Sequence, residues 1–116
     1  MSTEEGTVAA LSQVVSIQSM RDIGTALQSG VESGGLLLDE SNLAPAFFDL
    51  RSGLAGELFQ KCVNYRVRLA IVVAAPGAHG DRFSELVHEH RSHAQVRFFT
   101  LRSEAQSWLS AQRRRS

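Results

Sequence analysis

VRLAIVVAA, residues Val67–Ala75, is apolar at every position except Arg68. A continuous run of this kind predicts a β-strand covered on both faces, which is typical of the centre of a parallel sheet. Apolar runs at Leu36–Leu38 and Val96–Leu101 predict two further strands. The partly β-branched run Thr7–Val15 predicts a first strand. The sequence therefore predicts about four mostly parallel strands.

Between these runs, apolar residues recur at spacings of three and four, which predicts helices with one buried face. The predicted helices cover Ser19–Gln28, Gly53–Tyr65, Asp81–Arg91 and a last segment that begins at Ser103. Gly30–Gly35 is predicted to break the first helix, and Leu43–Leu50, which contains Pro45, is predicted to be irregular. Four helices that alternate with strands predict a single layered α/β domain with crossover connections.

The composition is that of one globular domain. The chain has 116 residues, of which 43% are apolar and 21% are charged, an ordinary balance for a protein with one core. We predict a disordered N-terminus over residues 1–6, the domain over residues 7–112 and a short basic tail over residues 113–116. The formal net charge is zero, whereas a general nucleic-acid binder needs a basic surface. No nucleic-acid partner is expected.

The single cysteine and the first residues bear on localisation. Cys62 has no second cysteine with which to form an intrachain disulfide, which fits a reducing compartment. The first six residues are polar and acidic, unlike a secretory signal. No apolar run approaches the ~20 residues that a membrane-spanning helix needs. We expect a cytoplasmic protein that has no membrane partner.

The segment FFDLRSGLAGELFQKCVNYRVRLAI, residues Phe47–Ile71, is more specific than ordinary helix sequence. It places two aromatic residues, an acid, a hydroxyl and two glycines around the start of a helix. Gly56, inside that helix, costs about 1 kcal/mol relative to alanine. We expect another interaction to offset this cost in stability. Either the helix packs very close to the sheet, or another backbone or a ligand approaches Gly56. A homodimer formed through this helix is compatible with either function considered below.

This segment resembles the signature of a family of small bacterial proteins known only as a domain of unknown function. The family pattern is FFDL-x-(S/T)-GLAGE-x-x-QK-x-x-NY-x-x-x-x-AI. The resemblance is densest over Phe47–Ile71 and continues more weakly through Val96–Phe99 to Leu109. It implies a shared fold, and it implies no particular activity.

Asp49, followed by Ser52, Gly53 and Leu54 at the helix start, is also similar to the anti-sigma-factor-antagonist (STAS) domains. Those are small α/β modules that bind a protein kinase partner and are switched by phosphorylation of a serine at the helix opening. In this sequence two residues separate the acid from Ser52, so the usual phosphorylated serine has no clear equivalent. The resemblance implies a STAS-like fold and a protein partner.

Six polar residues form the candidate surface for a partner or ligand. They are Asp49, Ser52, Glu57, Gln60, Lys61 and Asn64. A phosphate on Ser52 would meet free N–H groups at the helix start, but an N-cap hydroxyl is the more common role for serine there. Asp49 is interpreted either as a binding residue or as a turn residue.

The rest of this surface has two interpretations as well. Glu57 and Lys61, four residues apart, predict an ordinary ion pair on the helix surface, with a Glu57 general base assisted by Lys61 as the alternative. Gln60, Lys61 and Asn64 share part of one helix face and recur together in the family pattern, which favours a recognition surface. Asn64 and Tyr65 are also expected simply to end the helix.

No cofactor or metal is predicted. The four histidines, at positions 79, 88, 90 and 93, lack a cysteine at ligand spacing and the His-Glu-x-x-His order of a zinc site, so solvated surface histidines are expected. The glycines of residues 30–35 precede a strand instead of following one, and Gly77 and Gly80 lack the spacing of a dinucleotide site. Cys62 is expected to be a buried small hydrophobic residue.

Two functions fit these observations. The first is a regulatory or protein-interaction module with a STAS-like fold, which binds a protein partner through the helix opening and the polar helix face. The alternative is a small enzyme or ligand-binding protein with a carboxylate-lined pocket at the C-terminal ends of the strands. There Asp39, Asp49 and Glu57 would converge as acid, base or binding groups.

Overall fold

A computed structural model describes the backbone of residues 16–115 and the side chains of residues 16–111. Within this range three strands form one parallel sheet in the order β1-β2-β3. They are β1 (Leu36–Asp39), β2 (Leu69–Val72) and β3 (Val96–Phe99). The run Val67–Ala75 contains the central strand, as predicted. The described residues thus hold three of the four predicted strands, and the other, Thr7–Val15, lies outside them.

Five helices accompany the sheet in the described residues. They are α1 (Met20–Ser33), α2 (Pro45–Phe48), α3 (Leu54–Asn64), α4 (Asp81–Glu89) and α5 (Arg102–Arg115). The predicted α/β fold is confirmed, and four of the helices correspond to the predicted ones. The additional helix, α2, is a single turn in a segment predicted to be irregular. It begins at Pro45, where the missing N–H costs nothing because a first helical residue needs no intrahelical partner.

The helix α1 is longer than predicted. It continues through Gly30 to Ser33 and ends at Gly34, whose φ of 85° is left-handed. Gly30 is buried inside the helix. A Cβ atom at this position would stand only 2.7 Å from Val67 Cγ1, so a larger residue would not fit there. The helix therefore ends within the predicted segment Gly30–Gly35, but at Gly34, while Gly30 permits close packing inside the helix.

Side chains of the strands alternate between two faces, and both faces are covered. On one face Leu69 and Ile71 of β2 join the larger core cluster, to which α1, α3 and α4 contribute. On the other face Ala70 contacts a smaller cluster formed with α5, which supplies Trp108 and Leu109. These three residues of β2 have no exposed surface, which explains why the sequence of the strand is continuously apolar.

The helix α3 has the left-handed Gly53 as its N-cap and buries the stripe Leu54, Leu58 and Cys62. Gly56 points away from that stripe, and a Cβ atom there would meet no heavy atom within 4 Å. The expectation that Gly56 permits close packing on the sheet is therefore wrong. The approach of another backbone or a ligand to Gly56 stays a prediction.

The last helix, α5, reaches Arg115. The backbone of residues 113–115, predicted to be a basic tail, therefore continues this helix. No helix among residues 16–115 has both the length and the apolar character that are required to cross a membrane.

Candidate functional site

A cavity of about 810 Å³ lies beside the opening of α3. One wall comes from α2 and from the turn Leu50–Ser52, and the other comes from the turn Pro76–His79 and the first turn of α4. Both walls belong to the segments that follow β1 and β2. The cavity is therefore built at the carboxyl edge of the sheet, where parallel α/β proteins commonly bind ligands.

An aromatic cluster joins the two walls. The Phe48 ring stacks on the His79 ring with centroids 3.8 Å apart and an interplanar angle of 7°, and Phe83 meets both rings edge-on. His79 Nε2 also lies 2.9 Å from Glu40 Oε2. The expectation that His79 is a solvated surface histidine is wrong, since its side chain is only 23% exposed. It links the end of β1, α2 and α4.

Asp39 ties the ends of β1 and β3 together. One carboxylate oxygen accepts a hydrogen bond from the Ser41 N–H at 2.9 Å, and the other pairs with the Arg102 guanidinium. Asp39 and Arg102 are 63 residues apart in the sequence. This ion pair connects the end of β1 to the start of α5, at the carboxyl edge of the sheet.

Asp49 shapes the turn before α3 and lines the cavity. Its Oδ1 atom accepts hydrogen bonds from the Arg51 backbone N–H at 3.1 Å and from Arg51 Nε at 3.2 Å. The hydrogen bond from the Arg51 side chain, followed by that from its backbone, lowers the pKa of Asp49 below the ordinary value. The interpretation of Asp49 as a turn residue is confirmed, and the lowered pKa favours the ionised carboxylate at the rim of the cavity.

Ser52 connects α2 to the start of α3. Its Oγ atom donates to the Ala46 carbonyl at 2.7 Å and accepts from the Leu54 N–H at 3.2 Å. Because the N-cap residue of α3 is Gly53, which has no side chain, Ser52 supplies the hydroxyl that binds a first-turn N–H group. This supports the capping interpretation, and phosphorylation of Ser52 stays a prediction.

The other candidate residues lie further along α3 and do not line the cavity. Lys61 Nζ stands 3.6 Å from Glu57 Oε2, so the predicted surface ion pair is confirmed. Gln60 Nε2 donates to Asn64 Oδ1 at 3.5 Å, and α3 ends at Asn64, as predicted. The six candidate residues therefore separate into a helix-opening group and a helix-face group.

Asp39, Asp49 and Glu57, predicted to converge on one pocket, do not do so at this cavity. Each pairs with a different cation, namely Arg102, Arg51 and Lys61 in that order. Only Asp49 lines the cavity, and its companion carboxylate there is Asp81. The sequence identifies Asp81 only as a residue at the start of a helix. Its place in the same cavity as Asp49 could not be predicted, because it depends on how α4 packs.

A comparison with protein families identifies the family to which the chain belongs. The model of a family described as a domain of unknown function (DUF4180) matches residues 6–109. The chain belongs to this family. No curated protein and no solved structure matches the chain. The DUF4180 domain thus spans the sheet, α1 to α4 and both walls of the cavity, and its description names neither a reaction nor a partner.

Two of the remaining histidines of the DUF4180 domain, His90 and His93, make hydrogen bonds within the fold, whereas His88 is exposed. His90 Nδ1 donates to the Leu86 carbonyl at 2.9 Å, while His93 Nδ1 accepts from the Gln95 and Val96 N–H groups at 3.0 and 3.1 Å. Desolvation, and then the nearby charges of His90 and Arg97, lower the pKa of His93. The lowered pKa favours the neutral ring, whose Nδ1 atom accepts these two hydrogen bonds at the start of β3.

Two further observations bear on chemistry. Cys62 is fully buried, as predicted, and burial raises the pKa of its thiol to about 12, which keeps it protonated and unreactive. In the part of the chain that the structure describes, no three His, Cys, Asp or Glu residues form a group able to hold a metal ion.

Proposed function

We propose that the protein is a regulatory or protein-interaction module that binds a protein partner at the opening of α3. The observation that carries this proposal is the cavity of about 810 Å³ between the turn before α3 and the first turn of α4. This volume lies within the range of ~300–1,000 Å³ that small-molecule pockets occupy, and in this proposal it receives side chains of the partner. Apolar rings and charges of both signs surround it, in keeping with the apolar centre and polar rim of protein interfaces.

The exposed face of α3 extends the proposed surface. Gln60 and Asn64 are exposed, and Val63 between them retains 43% of its surface. A partner backbone has room to approach Gly56, where a Cβ atom would meet nothing within 4 Å. In this proposal the partner covers the rim of the cavity together with Gln60, Lys61 and Asn64.

The regulatory part of the proposal rests on resemblance. The arrangement of Asp49, Ser52 and Leu54 is similar to the helix opening at which STAS domains meet their partners. The segment Phe47–Ile71 resembles the signature of a family of small bacterial proteins, and the single, buried Cys62 fits a reducing compartment. We therefore propose a bacterial, cytoplasmic module with a STAS-like fold.

A space-filling substitution tests the cavity. Ala78 is exposed on one wall, so Ala78→Trp is expected to occupy the cavity without disturbing the core. Tagged protein is captured from lysate of its own host, and the retained partner is quantified by native mass spectrometry. Ala94→Trp is the matched control, because Ala94 is an exposed alanine that does not line the cavity. Circular dichroism verifies that both variants are folded.

The proposal expects a stoichiometric protein partner that Ala78→Trp loses and that Ala94→Trp retains. The double variant Lys61→Ala/Asn64→Ala is expected to weaken capture as well. Retention of the partner by Ala78→Trp would show that the cavity is not the binding site. Recovery of the bare chain from the wild-type protein would contradict the interaction function itself.

A second candidate is a small enzyme or ligand-binding protein, which the position of the cavity at the carboxyl edge of the sheet favours. Asp49 and Asp81 would replace the three carboxylates expected from the sequence as its acidic groups. A thermal-shift screen of metabolites against the wild-type protein and Ala78→Trp tests this candidate. A ligand that stabilises the wild-type protein and not Ala78→Trp supports it, whereas equal shifts in both proteins exclude the cavity as its site.

A further inference from the structure

We infer that the group bound in the cavity is anionic and adjoins an apolar body: a carboxylate or phosphate on the partner pairs with Arg82, while its apolar neighbour packs against Phe48. This inference rests on the proposed function and adds the chemistry of recognition at the same site. It depends on which of the charges lining the cavity are already compensated.

Of the four charged side chains that line the cavity, all except Arg82 have compensation within the fold. Asp49 and Arg51 pair with each other at 3.2 Å. Asp81 is the first residue of α4, where the positive end of the helix dipole favours a carboxylate. Glu40, which approaches from the end of β1, is engaged by His79. These groups leave little uncompensated negative charge to attract a cation.

Arg82 is different. It lies in the first turn of α4, where the helix dipole disfavours a cation, and its side chain is exposed along the cavity. Among residues 16–111 it has no hydrogen-bond or ion-pair partner. An arginine in this position offers a planar set of donors that matches a carboxylate or phosphate.

The apolar requirement follows from the other wall of the cavity, which α2 and the following turn provide. Phe48 is only half-buried although it stacks on His79 and contacts Phe83. Leu50 and Pro45 continue the same apolar wall. A ligand with an apolar body covers this wall while its anionic group reaches Arg82.

Amide chemical shifts of the isotope-labelled full chain test the inference with three small probes. Phenylacetate carries the anion and the ring, phenylacetamide is its neutral isostere, and benzylamine carries a cation instead. Phenylacetate is expected to shift the amides of residues 48–51 and 78–83 and to bind about fivefold more tightly than phenylacetamide, as an exposed ion pair allows. Benzylamine is expected to bind more weakly than either.

Two charge-removing variants locate the preference. Arg82→Gln is expected to abolish the advantage of phenylacetate and to leave the affinity for phenylacetamide unchanged. Arg21 is an exposed arginine of α1 that does not line the cavity. The variant Arg21→Gln is therefore expected to retain the tighter binding of phenylacetate. If phenylacetate and phenylacetamide bind the wild-type protein with equal affinity, the inference about the anion is wrong, although the cavity is still a binding site. Failure of every probe to shift these amides would overturn the site as well.

Competition with the captured partner identifies the source of the anion. Phenylacetate is expected to release the partner from the wild-type protein, and phenylacetamide is expected to release less. If phenylacetate binds in the cavity while the partner stays bound, the anionic group belongs to a free metabolite, and its assignment to the partner is wrong.

Discussion

The interior of the sheet and the cavity at its carboxyl edge are stabilised in different ways. In the interior, Leu69, Ala70 and Ile71 of β2 are fully buried between helices on both faces. At the edge, polar pairs such as Glu40 with His79 join segments that are far apart in the sequence. Burial of apolar surface is non-directional and sets the fold, whereas the polar contacts are directional and leave some groups available for binding. The following predictions test that difference, from the largest expected effect to the smallest.

The largest effect is expected in the interior. Leu58→Ala removes a side chain that has no exposed surface, so the free energy of unfolding in urea should fall by about 2–5 kcal/mol. Val63→Ala on the same helix is the control, because Val63 is 43% exposed and should cost no more than about 0.5 kcal/mol. Equal losses would contradict the assignment of the buried face of α3.

Two glycines at the opening of α3 should respond with opposite signs. Gly53→Ala places a side chain at a left-handed φ of 82°, which costs about 1–2 kcal/mol of unfolding free energy. Gly56→Ala has open space around the new methyl group and should stabilise the helix by up to about 1 kcal/mol. Thermal unfolding of both variants measures the difference. A loss of stability in Gly56→Ala would show that this glycine packs closely after all.

A single hydroxyl at the edge should matter moderately. Ser52→Ala removes the hydrogen bonds to the Ala46 carbonyl and the Leu54 N–H, and should lower the unfolding free energy by about 1 kcal/mol. Ser107→Ala, at an exposed position of α5, is the matched control and should have almost no effect. If Ser52→Ala is as stable as its control, the hydroxyl does not cap α3.

The smallest effect is a dependence on pH. The pKa of His93 is lowered in the folded protein from its ordinary value of 6.5, so the unfolded chain binds the proton more readily. The contribution of His93 to stability is therefore complete above the unfolded-state pKa and is lost as the pH falls through the lowered folded-state pKa. Urea unfolding across this window should show the loss in the wild-type protein and in the control His88→Gln. His93→Gln should lack it, and an unchanged pH profile in that variant would refute the role of His93.

Local sequence patterns predicted much of the fold. The continuous apolar run identified β2, and the recurrence of apolar residues over Gly53–Tyr65 identified α3. The ion pair of Glu57 with Lys61 was also predictable, because residues four apart on a helix are neighbours. These features depend on a few adjacent turns of the chain and on little else.

Features that depend on distant neighbours escaped prediction. Gly30 resembles a helix breaker in sequence, but its role is set by Val67, which packs where a Cβ atom would stand. His79 resembles a surface histidine, but Phe48 and Glu40 enclose its ring. No spacing rule relates these residues, because their contacts depend on how the crossover segments return to the edge of the sheet.

The sequence by itself determined the α/β class, the central strand and the inward face of α3, because hydrophobic periodicity reports directly which residues avoid water. Only the tertiary structure decided that Asp49 and Asp81 share a cavity while Asp39 and Glu57 do not. It also decided that Arg82 lines the same cavity as Phe48 and that its side chain has no partner among the described residues. The physical reason is that charged side chains carry no periodic signal, so their neighbours are set by the packing of the helices and strands that bear them.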